Sequence, residues 1–90
     1  MNSFEENEKY AERGNAQAQY ALGYRYYWGQ GVDEDRVKAV YWYTKAAEQR
    51  LAQAQYALGR CYYMGQGVEE DKVKSTYWFG KAAEQGLAQA

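Results

Sequence analysis

The ninety-residue chain contains no histidine, no proline and only one cysteine, Cys61. Without histidine, an imidazole general base and an imidazole metal ligand are both excluded. One cysteine cannot build an internal disulfide framework. It fits a reducing compartment, so a cytoplasmic location is the expectation. No stretch approaches the roughly 20 apolar residues that cross a bilayer, and membrane insertion is not expected. The opening MNSFEENEKY is polar and acidic, unlike a secretory signal. An excess of one charge is also missing, with 11 basic residues against 12 acidic ones and a net charge of −1. That balance lacks the basic footprint of a nucleic-acid binder.

What the chain does have is tyrosine, eleven in all, with three tryptophans. Tyrosine offers apolar area with a polar tip, which suits half-buried faces and binding surfaces. Ninety residues allow one small domain with a core of modest stability.

The chain also repeats itself. A shift of 36 positions lays AQAQYALG at Ala16–Gly23 over AQAQYALG at Ala52–Gly59. The same shift aligns GQGV at Gly29 with GQGV at Gly65, and KAAEQ at Lys45 with KAAEQ at Lys81. Residues 15–50 and 51–86 are identical at 25 of 36 positions, so a repeat architecture is the first reading. Lys9, Ala11 and Glu12 echo KAAE before the first copy, and LAQA at Leu87–Ala90 opens a third. The expected division is a capping helix over 1–14, repeats over 15–50 and 51–86, and a truncated further unit at 87–90.

Each unit reads as two helices. In the first, Ala18, Leu22, Gly23 and Tyr26 share one face, and the small Ala18 and Gly23 would admit a close neighbour. In the second, Ala39, Trp42, Tyr43, Ala46 and Ala47 follow helical spacing. Lys38, Val40, Tyr41, Thr44 and Glu48 fall on the opposite face, expected to be the outer one. Ser3 and Glu6 fit a capping box for a short leading helix that Gly14 closes.

The stretch GQGVDED, Gly29 to Asp35, invites a ligand reading. A phosphate loop would follow its glycines with Lys and Ser or Thr, and here acids follow instead. A calcium loop would alternate its oxygen ligands and end on a distant Glu, which is absent. A chain reversal fits better: Gly29 and Gly31 supply unusual φ values, Val32 tucks between helices, and Asp35 caps the second helix. Asp33 and Glu34 then lie near that helix's positive end.

The pattern carried by Ala16, Ala18, Gln19, Tyr20, Leu22, Gly23, Tyr26, Gly29, Gly31, Val32, Asp35, Lys38, Ala39, Trp42, Tyr43 and Lys45–Gln49, and nearly all repeated in the second copy, resembles the Sel1-like repeat, a relative of the tetratricopeptide repeat. The resemblance covers almost the whole chain. It implies an all-α fold, an α/α solenoid of about two 36-residue units whose first helices line a concave groove. It also implies an adaptor that gathers other proteins. Some bacterial relatives are cysteine-rich and secreted; a chain with one cysteine departs from that branch.

The pattern breaks once. Where glycine ends the N-terminal segment at Gly14 and the second unit at Gly86, the middle junction has Arg50, and no proline stands nearby. A left-handed residue other than glycine is disfavoured by roughly 1 kcal/mol. A strained turn is expected there, or partial fusion of the flanking helices with exchange of units between chains.

Relatives of this fold bind on the first-helix face. In this chain that face would offer Gln17, Tyr20, Tyr24, Tyr27 and Trp28 from unit one, with Gln53, Tyr56, Arg60, Tyr63 and Met64 from unit two. Tyr24/Arg60 and Trp28/Met64 differ between otherwise similar copies, so packing leaves them free for a partner. Tyr, Trp and Arg are also common interface hot spots. Equally, Tyr20, Tyr27, Tyr56 and Tyr63 suit packing between helices.

The expected function is non-enzymatic capture of a protein, as a peptide or helix, in the groove; the alternative is a small ligand or glycan stacking on the tyrosines. Carboxylates such as Asp33 and Asp35 are accounted for by capping, and no nucleophile, base and orienter can be assembled. No cofactor or metal is implied. Cys61 aligns with Arg25 and is expected to be partly exposed. Trp78, Phe79 and Ala82 on the last helix are expected to lie uncovered and to promote self-association.

Overall fold

A computed structural model of the chain describes residues 3–87. The described residues form five helices: α1 (Ser3–Glu12), α2 (Ala16–Trp28), α3 (Arg36–Glu48), α4 (Ala52–Met64) and α5 (Lys72–Glu84). Each packs on the next in sequence, giving a slab of 39 × 24 × 18 Å. The opening of a third unit at residues 88–90 lies outside the described residues.

Local chemistry sets the ends of these helices. Asp35 Oδ1 accepts from Lys38 N at 3.0 Å, and Asp71 Oδ1 accepts from Lys74 N at 3.0 Å, capping α3 and α5. Asn15 does the same for α2 through Ala18 N at 2.8 Å. Helices α2 and α4 stop at left-handed glycines, Gly29 (φ 72°) and Gly65 (φ 67°), and Gly31 and Gly67 then reverse the chain. Each loop is closed by a backbone bond, from Asp35 N to Tyr26 O at 2.8 Å and from Asp71 N to Tyr62 O at 2.9 Å. Val32 and Val68 tuck against the core as the turn reading requires. GQGVDED is a bend.

Within a unit the two helices meet at a glycine. A Cβ at Gly23 would stand 2.7 Å from Tyr43 Cδ1, and one at Gly59 would stand 2.8 Å from Phe79 Cδ1. The core between them holds Leu22, Tyr26, Ala39, Tyr43, Ala46 and Leu58. Ser3 is the first residue of α1 rather than a residue outside it, and its hydroxyl accepts from Arg25 Nη2 at 3.2 Å.

Between units a buried glutamine recurs. Gln19 Nε2 donates to Ala11 O at 3.1 Å while its Oε1 accepts from Gln49 Nε2 at 2.8 Å. Thirty-six residues on, Gln55 donates to Ala47 O at 3.2 Å and accepts from Gln85 at 2.8 Å. Both buried amides are thus satisfied, as buried polar groups must be.

Three expectations need correction. Val40 and Thr44 are not on an outer face: Val40 is buried and Thr44 half-buried. A solenoid unit is covered on both sides, and α4 with its following loop packs on this one. Arg50 does not fuse two helices, since α3 ends at Glu48 and α4 starts at Ala52; the residue takes φ 70° in a tight turn. Exchange of units through a fused helix therefore loses its basis. At the last helix Ala82 is fully buried, and Trp78 and Phe79 are half-buried against α4.

Candidate functional site

Helices α2 and α4 run side by side as the first helices of the two units, with α3 behind them. Between them opens a cavity of about 310 Å³. One wall is Tyr20, Tyr24, Tyr27 and Trp28 from α2; the other is Gln53, Tyr56, Ala57 and Arg60 from α4. Tyr43 of α3 and Cys61 complete the lining. Seven of the ten residues assigned to the groove from sequence converge here.

The other three do not. Gln17 lines an adjoining depression with Tyr20, Ala21, Tyr24, Arg25 and Gln30. Tyr63 and Met64 are exposed, beyond the cavity's edge, with Lys72 Nζ 4.5 Å from the Tyr63 ring centroid. The difference from Tyr27 is positional. The second unit's loop covers Tyr27, whose hydroxyl bonds Gln66 Oε1 and whose ring lies 4.2 Å from the Arg36 guanidinium. No described element covers Tyr63 in that way.

The aromatic wall is continuous. Tyr20 and Tyr24 stand 6.5 Å apart between centroids, Tyr24 and Trp28 6.3 Å, and Tyr27 and Trp28 4.9 Å edge to face. Tyr20 and Tyr27 both contact Tyr43, at 5.7 and 6.4 Å. Such offset and edge contacts fix the rings in place, making a preformed wall. Tyr24 and Trp28 remain exposed at its rim.

Three lining residues lie outside the sequence reading: Ala57, Tyr43 and Cys61. Helical spacing places Tyr43 on the α3 face that it shares with Ala39, Ala46 and Ala47. Its ring does pack there, against Gly23, and its far end still reaches the cavity. Phe79 at the equivalent position of the second unit was the available signal: the ring alone suffices for packing. Cys61, expected to be partly exposed like Arg25, is buried at 2% exposure. Position 25 faces the ten-residue α1, whereas position 61 faces the thirteen-residue α3, which covers it.

Burial raises the Tyr43 phenol above its ordinary 10.0, with smaller contributions from Tyr20, Cys61, Tyr27 and Tyr24. Burial likewise pushes the Cys61 thiol up to about 11, against an opposing pull from Arg60 and Arg36. The lining contains no Asp or Glu, and Arg60 is its one charged residue. Among the described residues no group of three or more His, Cys, Asp or Glu could hold a metal ion.

The Sel1 repeat family model matches residues 16–51 and 52–87, together most of the chain. The chain belongs to the Sel1 repeat family. A Sel1 repeat protein from Oxalobacter formigenes is 43% identical with a TM-score of 0.84, over 86% of this chain and 32% of its own. Cysteine-rich protein B of Helicobacter pylori superposes with a TM-score of 0.92 at 27% identity, over 99% of this chain and 69% of its own. A protective antigen of uropathogenic Escherichia coli with this fold is 36% identical, with a TM-score of 0.64, over 96% of this chain and 26% of its own. The chain thus spans about a third of the Oxalobacter protein. No curated protein matches it. Sel1 repeat proteins are typically non-enzymatic scaffolds that mediate protein–protein interactions, and the helical solenoid seen here is theirs.

Proposed function

We propose that this chain is a protein-interaction module which takes a peptide or helix of its partner in the groove between α2 and α4. The observation that carries this reading is the cavity wall: Tyr20, Tyr24, Tyr27 and Trp28 from one unit face Tyr56 and Arg60 of the next across about 310 Å³ of open space. Aromatic residues and Arg around a concavity are the composition of interface hot spots. The held rings also lose little conformational freedom on binding, which favours affinity.

Two of the wall residues, Tyr24 and Trp28, are also ones that packing leaves free to vary. Tyr24 is Arg60 in the second unit and Trp28 is Met64, while the glycines and alanines under them are identical. A Tyr24→Ala/Trp28→Ala/Arg60→Ala variant should keep the fold and lose partner capture from a lysate of the source organism. Equal capture by both proteins overturns the assignment of the groove.

A further inference from the structure

The Tyr43 hydroxyl has no packing role. Its ring fills the space beside Gly23, and in the second unit Phe79 fills the same space beside Gly59 with no hydroxyl. Tyr43 as a whole is only 3% exposed, and the state of its hydroxyl follows from its partners. It has no hydrogen-bond partner among the described residues, yet no side-chain oxygen fully sealed from solvent lacks one. The hydroxyl therefore looks into the cavity that Tyr43 lines. A ligand that accepts the hydroxyl's hydrogen replaces the solvent it meets there.

The charge around it points the same way. Arg60 stands on the opposite wall with no ion pair among the described residues; the two salt bridges there are Arg36–Glu34 and Lys72–Glu70. No carboxylate lines the cavity. A wall of phenols facing an unpaired guanidinium offers donors and positive charge with nothing acidic to answer them, and a carboxylate answers both. The volume of about 310 Å³ lies at the low end for ligand sites and accommodates one inserted side chain, not a folded element.

We infer that the cavity receives an acidic side chain of a partner peptide, its carboxylate held between the Tyr43 hydroxyl and the Arg60 guanidinium, with a neighbouring apolar residue lying on Tyr24 and Trp28. This rests on the groove being the peptide site, and it adds the chemistry recognised there.

The test is selection of a displayed random-peptide library on the whole chain. Chosen sequences are then synthesised as Glu and Gln twins and titrated against wild type, Tyr43→Phe, Arg60→Gln and Tyr24→Ala/Trp28→Ala. Selected peptides should carry an acidic residue beside an aliphatic or aromatic one, and the Glu twin should bind about tenfold tighter than the Gln twin. Tyr43→Phe, which copies Phe79 and keeps the ring, should shrink that ratio severalfold with little change in melting temperature. Arg60→Gln should shrink it further and remove most of the salt dependence. Peptides that need Tyr24 and Trp28 but bind equally well as Glu and Gln twins overturn the carboxylate inference and leave the groove standing. Peptides indifferent to Tyr24 and Trp28, or no selected peptide, overturn the groove and the inference with it.

Discussion

Between α1 and α2 the chain turns through Gly14 and Asn15; thirty-six residues later, between α3 and α4, it turns through Arg50 and Leu51. The backbone bonding of the two turns is the same. Gly14 N reaches Ala11 O at 3.0 Å and Asn15 N reaches Tyr10 O at 3.1 Å; Arg50 N reaches Ala47 O at 2.9 Å and Leu51 N reaches Ala46 O at 3.3 Å. The side chains are opposite in kind. Glycine takes a positive φ freely and arginine does not; Asn15 caps α2, whereas Leu51 leaves α4 without a side-chain cap. The geometry of this turn is therefore set by the helices it joins. Packing and the glutamine bonds across each junction hold it even where the local residues oppose it.

Other equivalent positions sharpen that comparison. The largest contrast is expected at Gly67 and Gly31, which share a left-handed turn. A Cβ at Gly67 would lie 2.1 Å from the carbonyl oxygen of Arg36, while one at Gly31 would meet only Arg25 Nη1 at 3.4 Å. Gly67→Ala should destabilise by about 3 kcal/mol or more, because the loop must leave α3, and Gly31→Ala by about 1. Urea melts of the two variants measure the difference, and equal losses would mean that the second loop does not bind the units together.

The next contrast is Cys61 against Arg25. The folded state holds the Cys61 proton up to about pH 11, whereas an ordinary thiol releases it near 9.0. This contribution is fully present below pH 9 and fades as pH rises through 11. Wild type should lose about 2 kcal/mol more than Cys61→Ala over that window, read from denaturation midpoints at each pH. Thiol alkylation of the folded chain at pH 8 should be correspondingly slow.

At the junction itself Arg50→Gly should stabilise by about 1 kcal/mol by relieving the positive φ. An unchanged melting temperature would remove strain from the account of this turn. The smallest effect is Leu51→Asn, which copies the cap at Asn15 and should add about 0.5 kcal/mol, partly offset by the apolar contact that Leu51 makes with the core. Thermal melts of the single and double variants would show whether the two corrections add.

The repeat, its helices and its turns were legible because each depends on residues close in the chain: a glycine at a reversal, an aspartate at a cap, alanines at helical spacing. Seven of the ten groove residues followed from the same spacing on α2 and α4. The misplacements at Val40, Cys61 and Tyr63 share a different cause. Whether each is covered depends on the neighbouring unit, and a pattern read one unit at a time treats every face but one as open. Tyr43 was missed because a long side chain packs with its ring and presents its tip elsewhere, and helical spacing reports only the direction of the Cβ.

The glutamine pairs carry a last consequence. Gln49 and Gln19 belong to the same unit, as do Gln85 and Gln55, and in each pair the inner amide reaches back to a carbonyl of the segment before it. A unit therefore brings its own plug and finds its socket on whatever copy precedes it. Genes built this way lengthen or shorten by whole copies without requiring any compensating change at the new seam. Array length becomes something recombination can adjust in steps, each step adding one more stretch of groove.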